Sequence, residues 1–130
     1  MSDFLVFSRF SVVGVIGLLV DAATLTLMLT FGAGFYVGRI CSYIAAATCT
    51  WALNRRWTFR DRRRRRIRQW THFLATNSIG GAVNYAVYAL IVSRVGGTSA
   101  ALPIIAVAAG SICGLAVNFQ LSRRLVFRGA

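Results

Sequence analysis

One acid, Asp21, stands alone in an apolar run from about Phe10 to Phe31. Counted from Arg9 at 1.5 Å per residue, it lies about 18 Å along a helix, near the midplane of a hydrocarbon core roughly 30 Å thick. A carboxylate at that depth costs about 2.5–3.5 kcal/mol to insert. It must therefore face protein, trapped water or a counter-charge, or carry a proton. Gly14 and Gly17 share its helical face by their spacing. Arg39, in the next apolar run, is the cation that can reach it from a neighbouring helix; snorkelling to the outer interface is the alternative use of that side chain. Asn77, Gly80 and Asn84 repeat the same spacing further along. Asp21, Asn77 and Asn84 read as a polar lining for a headgroup in transit, against the plainer use of such groups as interhelical hydrogen bonds.

A second set sits where apolar runs end. Asn54-Arg55-Arg56-Trp57 closes one run, and Asn118 closes another, with Arg123-Arg124 following after four intervening residues. Guanidinium forks match phosphate oxygens two at a time. An asparagine amide bonds an uncharged hydroxyl or a helix-end carbonyl, and Trp57 suits the membrane interface. Boundary anchoring explains any one of these residues. Their coincidence at two helix ends favours a phosphate held at headgroup level.

Other chemistries are excluded by the inventory. All fifteen basic residues are arginine, which removes a Walker A loop, a Schiff-base lysine and a kinase-type lysine. His72 is the single histidine, and Asp3, Asp21 and Asp61 are the only acids. Neither they nor Cys41, Cys49 and Cys113 show metal-ligand spacing, so no cofactor or metal is expected. The cysteines lie in apolar runs and read as packing residues. The expectation is a protein that is not an enzyme.

Something must position these residues, and composition says what. Of 130 residues 57% are hydrophobic and 14% charged, against about 25% charged in soluble proteins, and the net charge is +12. A soluble sphere of this size cannot bury so much apolar surface. Four runs approach the length of a membrane helix: about Phe10–Phe31, Phe35–Leu53, Phe73–Ser93 and Leu102–Leu121, the last with Pro103 in its first turn. Gly32-Ala33-Gly34 and Arg94 to Ser99 read as loops. The first run lacks a cleavage site and reads as a retained helix. Every arginine but Arg39 and Arg94 falls before the first run, in segment 54–69 or after the fourth run. The positive-inside rule then makes both termini and the basic 54–69 loop cytoplasmic, in the cytoplasmic (inner) membrane. The loop's Arg62–Arg66 run suits anionic phospholipids, and with no aromatic platform beside it no nucleic acid is expected.

The two halves, about 7–60 and 70–128 of a single 1–130 domain, resemble each other. A shift of 63 sets Gly17 on Gly80 and Asp21 on Asn84. A shift of 64 sets Cys49 on Cys113 and Asn54 on Asn118. After a four-residue insertion, Arg55-Arg56-x-x-Phe59-Arg60 matches Arg123-Arg124-x-x-Phe127-Arg128. The expected fold is an all-α membrane protein, four transmembrane helices as two parallel-repeat hairpins. Gly110-x-x-x-Gly114 on helix 4 reads as a close-packing or dimer face; four helices enclose little space, so a homodimer is attractive, with the glycine face of helix 1 or helix 4 as seam.

Arg9-Phe-x-x-Val-Gly-x-x-Gly17, Asp21, Asn54-Arg-Arg-Trp-Thr-Phe59 and Asn118-Phe-x-x-x-Arg-x-x-Val-Phe127 resemble the GtrA-like membrane proteins over essentially the whole chain. The five-arginine run lies outside that pattern. The resemblance implies a role in cell-surface polysaccharide synthesis, moving a polyprenyl-phosphate-linked sugar across the cytoplasmic membrane beside a glycosyltransferase partner. It carries over Asp21, Asn54, Arg55, Arg56, Trp57, Asn118 and Arg123 or Arg124 as candidate substrate-binding residues. The alternative is a non-catalytic membrane partner that anchors or stabilises a polyprenyl-phosphate glycosyltransferase. A small multidrug exporter, also four helices with one acid in the first, is disfavoured because the arginine bias fixes a single orientation.

Overall fold

The computed structural model describes residues 2–95 and 101–128. It is all-helical among these residues: α1 (Asp3–Thr30), α2 (Phe35–Leu53), α3 (Arg66–Val95) and α4 (Ala101–Leu121). Ser2 caps α1, its hydroxyl accepting from the Leu5 amide at 3.4 Å, and Asp3 favours the positive end of the helix. Gly32 ends it at φ +85°, a conformation that admits the Ala33 amide to the Met28 carbonyl at 3.0 Å. α3 begins seven residues before the apolar run read from sequence and keeps Arg94 in its last turn. Residues 96–99 of the expected second loop lie outside the described residues.

Three helical segments, Asp3–Thr30, Arg66–Val95 and Ile105–Val126, are long and apolar enough to cross a membrane. α2 is 19 residues long and falls short on hydropathy, because Arg39, two tyrosines and several small polar residues interrupt it. The protein is a membrane protein with four helices, one of them less apolar than the expected span.

Packing is strongest within two pairs, α1 with α2 and α3 with α4. Glycine permits the close approaches. A Cβ on Gly17 would strike the Thr50 side chain, and one on Gly80 would strike the Asn118 amide. A Cβ on Gly114 would lie 2.7 Å from the Gly80 carbonyl oxygen, and Gly110 abuts Asn84. The glycine face of α4 is thus spent on α3, within the chain. Of the two uses expected for that face, close packing is the one seen: the small residues let two neighbouring backbones touch. Gly114→Ala must displace backbone rather than a flexible side chain. It is expected to cost about 1–3 kcal/mol, read as a lowered midpoint of detergent-induced unfolding. An unchanged midpoint would contradict the packing described.

Both helix pairs end in the same way. After α2 the chain widens into a π turn over Asn54–Thr58, and after α4 over Ser122–Val126. The Phe59 amide donates to the Asn54 carbonyl and the Phe127 amide to the Ser122 carbonyl, each at 2.8 Å. The structural counterpart of Asn54 is therefore Ser122, not Asn118. Asn118 matches Thr50, since each stands against a glycine of the partner helix, Gly80 and Gly17. No insertion after Asn118 is needed.

The π turns deliver Phe59 and Phe127 face to face, stacked with centroids 4.6 Å apart. Phe10 meets Phe59 edge-on at 6.1 Å and Phe73 meets Phe127 edge-on at 6.2 Å, while Phe119 lies stacked 6.3 Å from Phe59 and edge-on to Phe10 at 5.4 Å. This aromatic knot ties both helix pairs together, and Phe73 and Phe127 are each only 2% exposed. Past the first π turn Arg60 takes φ +52°, a left-handed conformation that costs a branched backbone roughly 1 kcal/mol. Arg60→Gly is expected to raise stability by several tenths of a kcal/mol to about 1. A lowered unfolding midpoint would overturn that account.

Candidate functional site

Between the two helix pairs lies a cavity of about 230 Å³ touching all four helices. Its polar lining comes from Asp21, Tyr43, Thr50, Asn54, Asn77 and Asn118, and Phe10 and Phe73 border it from the aromatic knot. The helix pairs leave this gap because contact between them is sparse, while each pair is closed on itself by glycine.

Arg39 reaches Asp21: its Nη1 donates to Oδ2 at 2.6 Å and lies 3.5 Å from the Ser42 hydroxyl. The Arg39 side chain is 59% exposed and that of Asp21 21%. Asp21 Oδ1 is buried without a partner, and so is Asn118 Oδ1. Two unsatisfied acceptors on residues lining one cavity require hydrogen-bond donors to settle them. Hydroxyl groups supply such donors. Asn54 Oδ1 already accepts from the Thr58 hydroxyl at 2.8 Å across the π turn. On one flank, the Tyr43 hydroxyl pairs with Ser78 Oγ at 2.9 Å and links α2 to α3.

Asn84 does not join this cavity. It packs against Gly110 and Gly114 and borders a separate recess with Tyr85 and Tyr88. The reason is that α3 and α4 close on each other at that height, which turns the Asn84 side chain into their seam. Its interhelical use, rather than a share in the central lining, is what the packing gives.

The arginines divide by environment. Arg55 is 8% exposed; its guanidinium donates to Gln69 Oε1 and to the Arg63 carbonyl and sits 5.9 Å above the Trp51 ring. It is a brace for the loop, not an open phosphate fork. Arg123 donates to Asp3 Oδ1 at 2.8 Å, tying the C-terminal turn to the start of α1. Arg56 and Arg124 are exposed at the two π turns. Trp57 is half-exposed beneath Arg9, whose guanidinium lies 5.5 Å from its ring centroid and donates to the Trp57 carbonyl.

Sequence reasoning missed the network that Arg55 joins. Asp61 takes a two-pronged pair from Arg63 at 2.6–2.9 Å and a bond from Gln69 Nε2 at 2.6 Å. Gln69 Nε2 and Arg63 also reach the Val126 carbonyl, each at 3.3 Å. The signal available was weak: one acid, Asp61, at the head of a run of arginines. Burial by itself pushes the Asp61 carboxyl up, but the bonds from Arg63 and Gln69 outweigh it and hold the value below the usual aspartate range. The charged form is therefore favoured by folding. Its contribution is present above the ordinary aspartate value and falls away as pH drops through the lower folded one. Hydrogen exchange across 60–69 is expected to stay slow at pH 7 and to quicken only below about pH 4. In Asp61→Asn it should be fast throughout. Protection that fades already near pH 6 would show that Asp61 is not what holds the loop.

Among the described residues no three His, Cys, Asp or Glu side chains gather as a metal site. Residues 9–127 match a family model described as GtrA/DPMS, transmembrane domain. No curated protein matches the chain.

Proposed function

The chain belongs to the GtrA/DPMS transmembrane domain family, and from that premise we propose that it carries a polyprenyl-phosphate-linked sugar across the cytoplasmic membrane for cell-surface polysaccharide synthesis. The observation that carries the reading is the central cavity, lined by Asp21 and Asn118, each of which keeps a buried Oδ1 without a partner. A sugar phosphate cannot cross bare hydrocarbon, because stripping water from its polar groups costs several kcal/mol or more. In this reading Asp21, Asn77 and Asn118 replace that water with fixed acceptors and amides while the polyprenyl tail stays in lipid. Arg39 orients Asp21 through their 2.6 Å hydrogen bond. Arg56 and Arg124, exposed where the π turns end, meet the phosphate at the inner headgroups, and Asn54 and Trp57 frame that entrance.

The protein itself is non-catalytic in this proposal and makes no bond. It stands with both termini and the 54–69 loop in the cytoplasm, as two sister hairpins of one domain spanning 1–130. α2 completes the fourth span by leaning on α1, which neutralises Arg39. A glycosyltransferase supplies or consumes the lipid, and anionic phospholipids sit against the arginines.

Proteoliposomes loaded with a polyprenyl-phosphate sugar test the idea. Purified protein is expected to equilibrate the lipid between leaflets, followed by accessibility to a membrane-impermeant sugar-oxidising reagent. Unchanged sidedness would remove the transport reading and leave the runner-up, a membrane anchor for a glycosyltransferase, to be judged by co-purification and by loss of transferase activity on deletion. Arg9 stacked on Trp57 at the cytoplasmic rim is the surface that favours this second reading.

A further inference from the structure

A second cavity, larger than the central one, lies elsewhere. It measures about 470 Å³ and opens between the start of α3 and the C-terminal turn. Arg63, Arg64, Arg65, Arg68 and Arg128 line it, with His72 beside them, and among the described residues no carboxylate does. From this we infer that the cavity is a binding site for a group bearing two phosphates, separate from the central cavity and independent of the transport reading.

Two observations carry it. The first is charge. Five arginines line one concave space; Arg63 is already paired with Asp61, which leaves Arg64, Arg65, Arg68 and Arg128, and the other nearby acid, Asp3, is held by Arg123. Like charges so placed repel, and a counter-anion lowers the energy of the assembly. A single phosphate monoester or diester satisfies one or two forks. Two linked phosphates offer enough oxygens for the remaining three or four. The second is construction. The wall of the cavity is not a loose arginine tail. Arg55 holds the Arg63 carbonyl, the Arg66 amide bonds the Arg64 carbonyl at 2.8 Å, and Gln69, itself 7% exposed, ties α3 to the Val126 carbonyl. The backbone carrying the arginines is therefore fixed before any ligand arrives, which spares part of the ordering cost of binding. Val126, 4% exposed, and Leu125 give it an apolar border where a lipid's glycerol portion can rest.

The two-phosphate group has two sources, a lipid headgroup or a free anion, and the experiment separates them. The full chain in phosphatidylcholine nanodiscs is offered cardiolipin, phosphatidylglycerol, inorganic pyrophosphate or inorganic phosphate, and retention is read by native mass spectrometry. One cardiolipin or one pyrophosphate per chain is expected to be held on the order of tenfold more tightly than its one-phosphate counterpart. Cardiolipin alone identifies a lipid site; pyrophosphate as well identifies one open to free anions. Arg64→Gln with Arg68→Gln is expected to reduce retention at least about tenfold. Arg60→Gln with Arg62→Gln removes the same charge outside the cavity and should change it less than about twofold. Equal loss in both variants, no preference for two phosphates over one, or retention of an oligonucleotide in place of the lipid would overturn the proposal. Asp21→Asn with Arg39→Gln, which removes both charges of the central pair, is expected to leave retention intact, so the outcome stands apart from that of the transport assay.

Discussion

Proteoliposomes carrying Asp21→Asn are expected to exchange the sugar lipid roughly a hundredfold more slowly than wild type, about 2.7 kcal/mol of lost barrier reduction. The size follows from what the substitution removes. Asp21 gives one oxygen to Arg39 at 2.6 Å and keeps the other buried and unpaired beside the cavity. An amide there loses the charge that a hydroxyl-rich headgroup would meet, and it leaves Arg39 without its counter-ion. Those effects must be separated. The double variant Asp21→Asn with Arg39→Gln removes both charges, so folding and expression should recover to near wild-type levels while transport stays low. Recovery of transport along with folding would mean that Asp21 serves only as a structural partner, as a scaffold protein would need. Full transport in the single variant would remove Asp21 from the mechanism.

Phe127→Ala is the largest expected change in stability. The ring is 2% exposed, stacks on Phe59 at 4.6 Å and meets Phe73 edge-on at 6.2 Å. Emptying such a site costs about 3–5 kcal/mol, through lost contacts and the cavity left behind. The chain end is involved as well, because the Phe127 amide closes the second π turn and the neighbouring Val126 carbonyl accepts from Gln69 and Arg63. The same truncation at Phe4, which is 76% exposed, should cost less than about 0.5 kcal/mol. Unfolding by denaturing detergent, followed by the tryptophans Trp51, Trp57 and Trp70, measures both. Phe127→Leu keeps an apolar filler and should recover at least half of the loss. If Phe127→Ala and Phe4→Ala shift the midpoint equally, the aromatic knot does not join the helix pairs.

Much of the architecture is legible from residue types alone. Apolar runs mark the helices, Gly32 marks the turn, and the cost of a bare carboxylate in lipid leads from Asp21 to Arg39 as its partner. What pattern cannot supply is depth. Shifts of 64 and 68 between α2 and α4 differ by four residues, close to one helical turn, so both alignments put the same faces together. They differ by about 6 Å in height. The π turns, which fix Phe59 over Asn54 and Phe127 over Ser122, decide between them, as do the glycines that face Thr50 and Asn118. The same blindness misplaced Asn84, which shares a face with Asn77 yet sits where Gly110 and Gly114 draw α4 inward. Arg55 escaped for another reason. An arginine two residues from Trp57 looks like an interfacial phosphate ligand until the loop folds back and Gln69, from the next helix, claims it. Such long-range pairing leaves no trace in local spacing.

The modest hydropathy of α2 has a consequence for how the chain is made. Emerging from the ribosome alone, a helix with an unpaired Arg39 would partition poorly into the bilayer. Only residues 31–34 separate it from α1, so the acid that neutralises it has already been synthesised and lies at hand. The first two helices are therefore expected to leave the translocon as one unit, the charges cancelling before either meets lipid, whereas α3 and α4 each carry enough apolar surface to enter unaided. Glycosylation mapping of nascent truncations is the check. α2 should integrate in the presence of wild-type α1 and fail behind an α1 bearing Asp21→Leu.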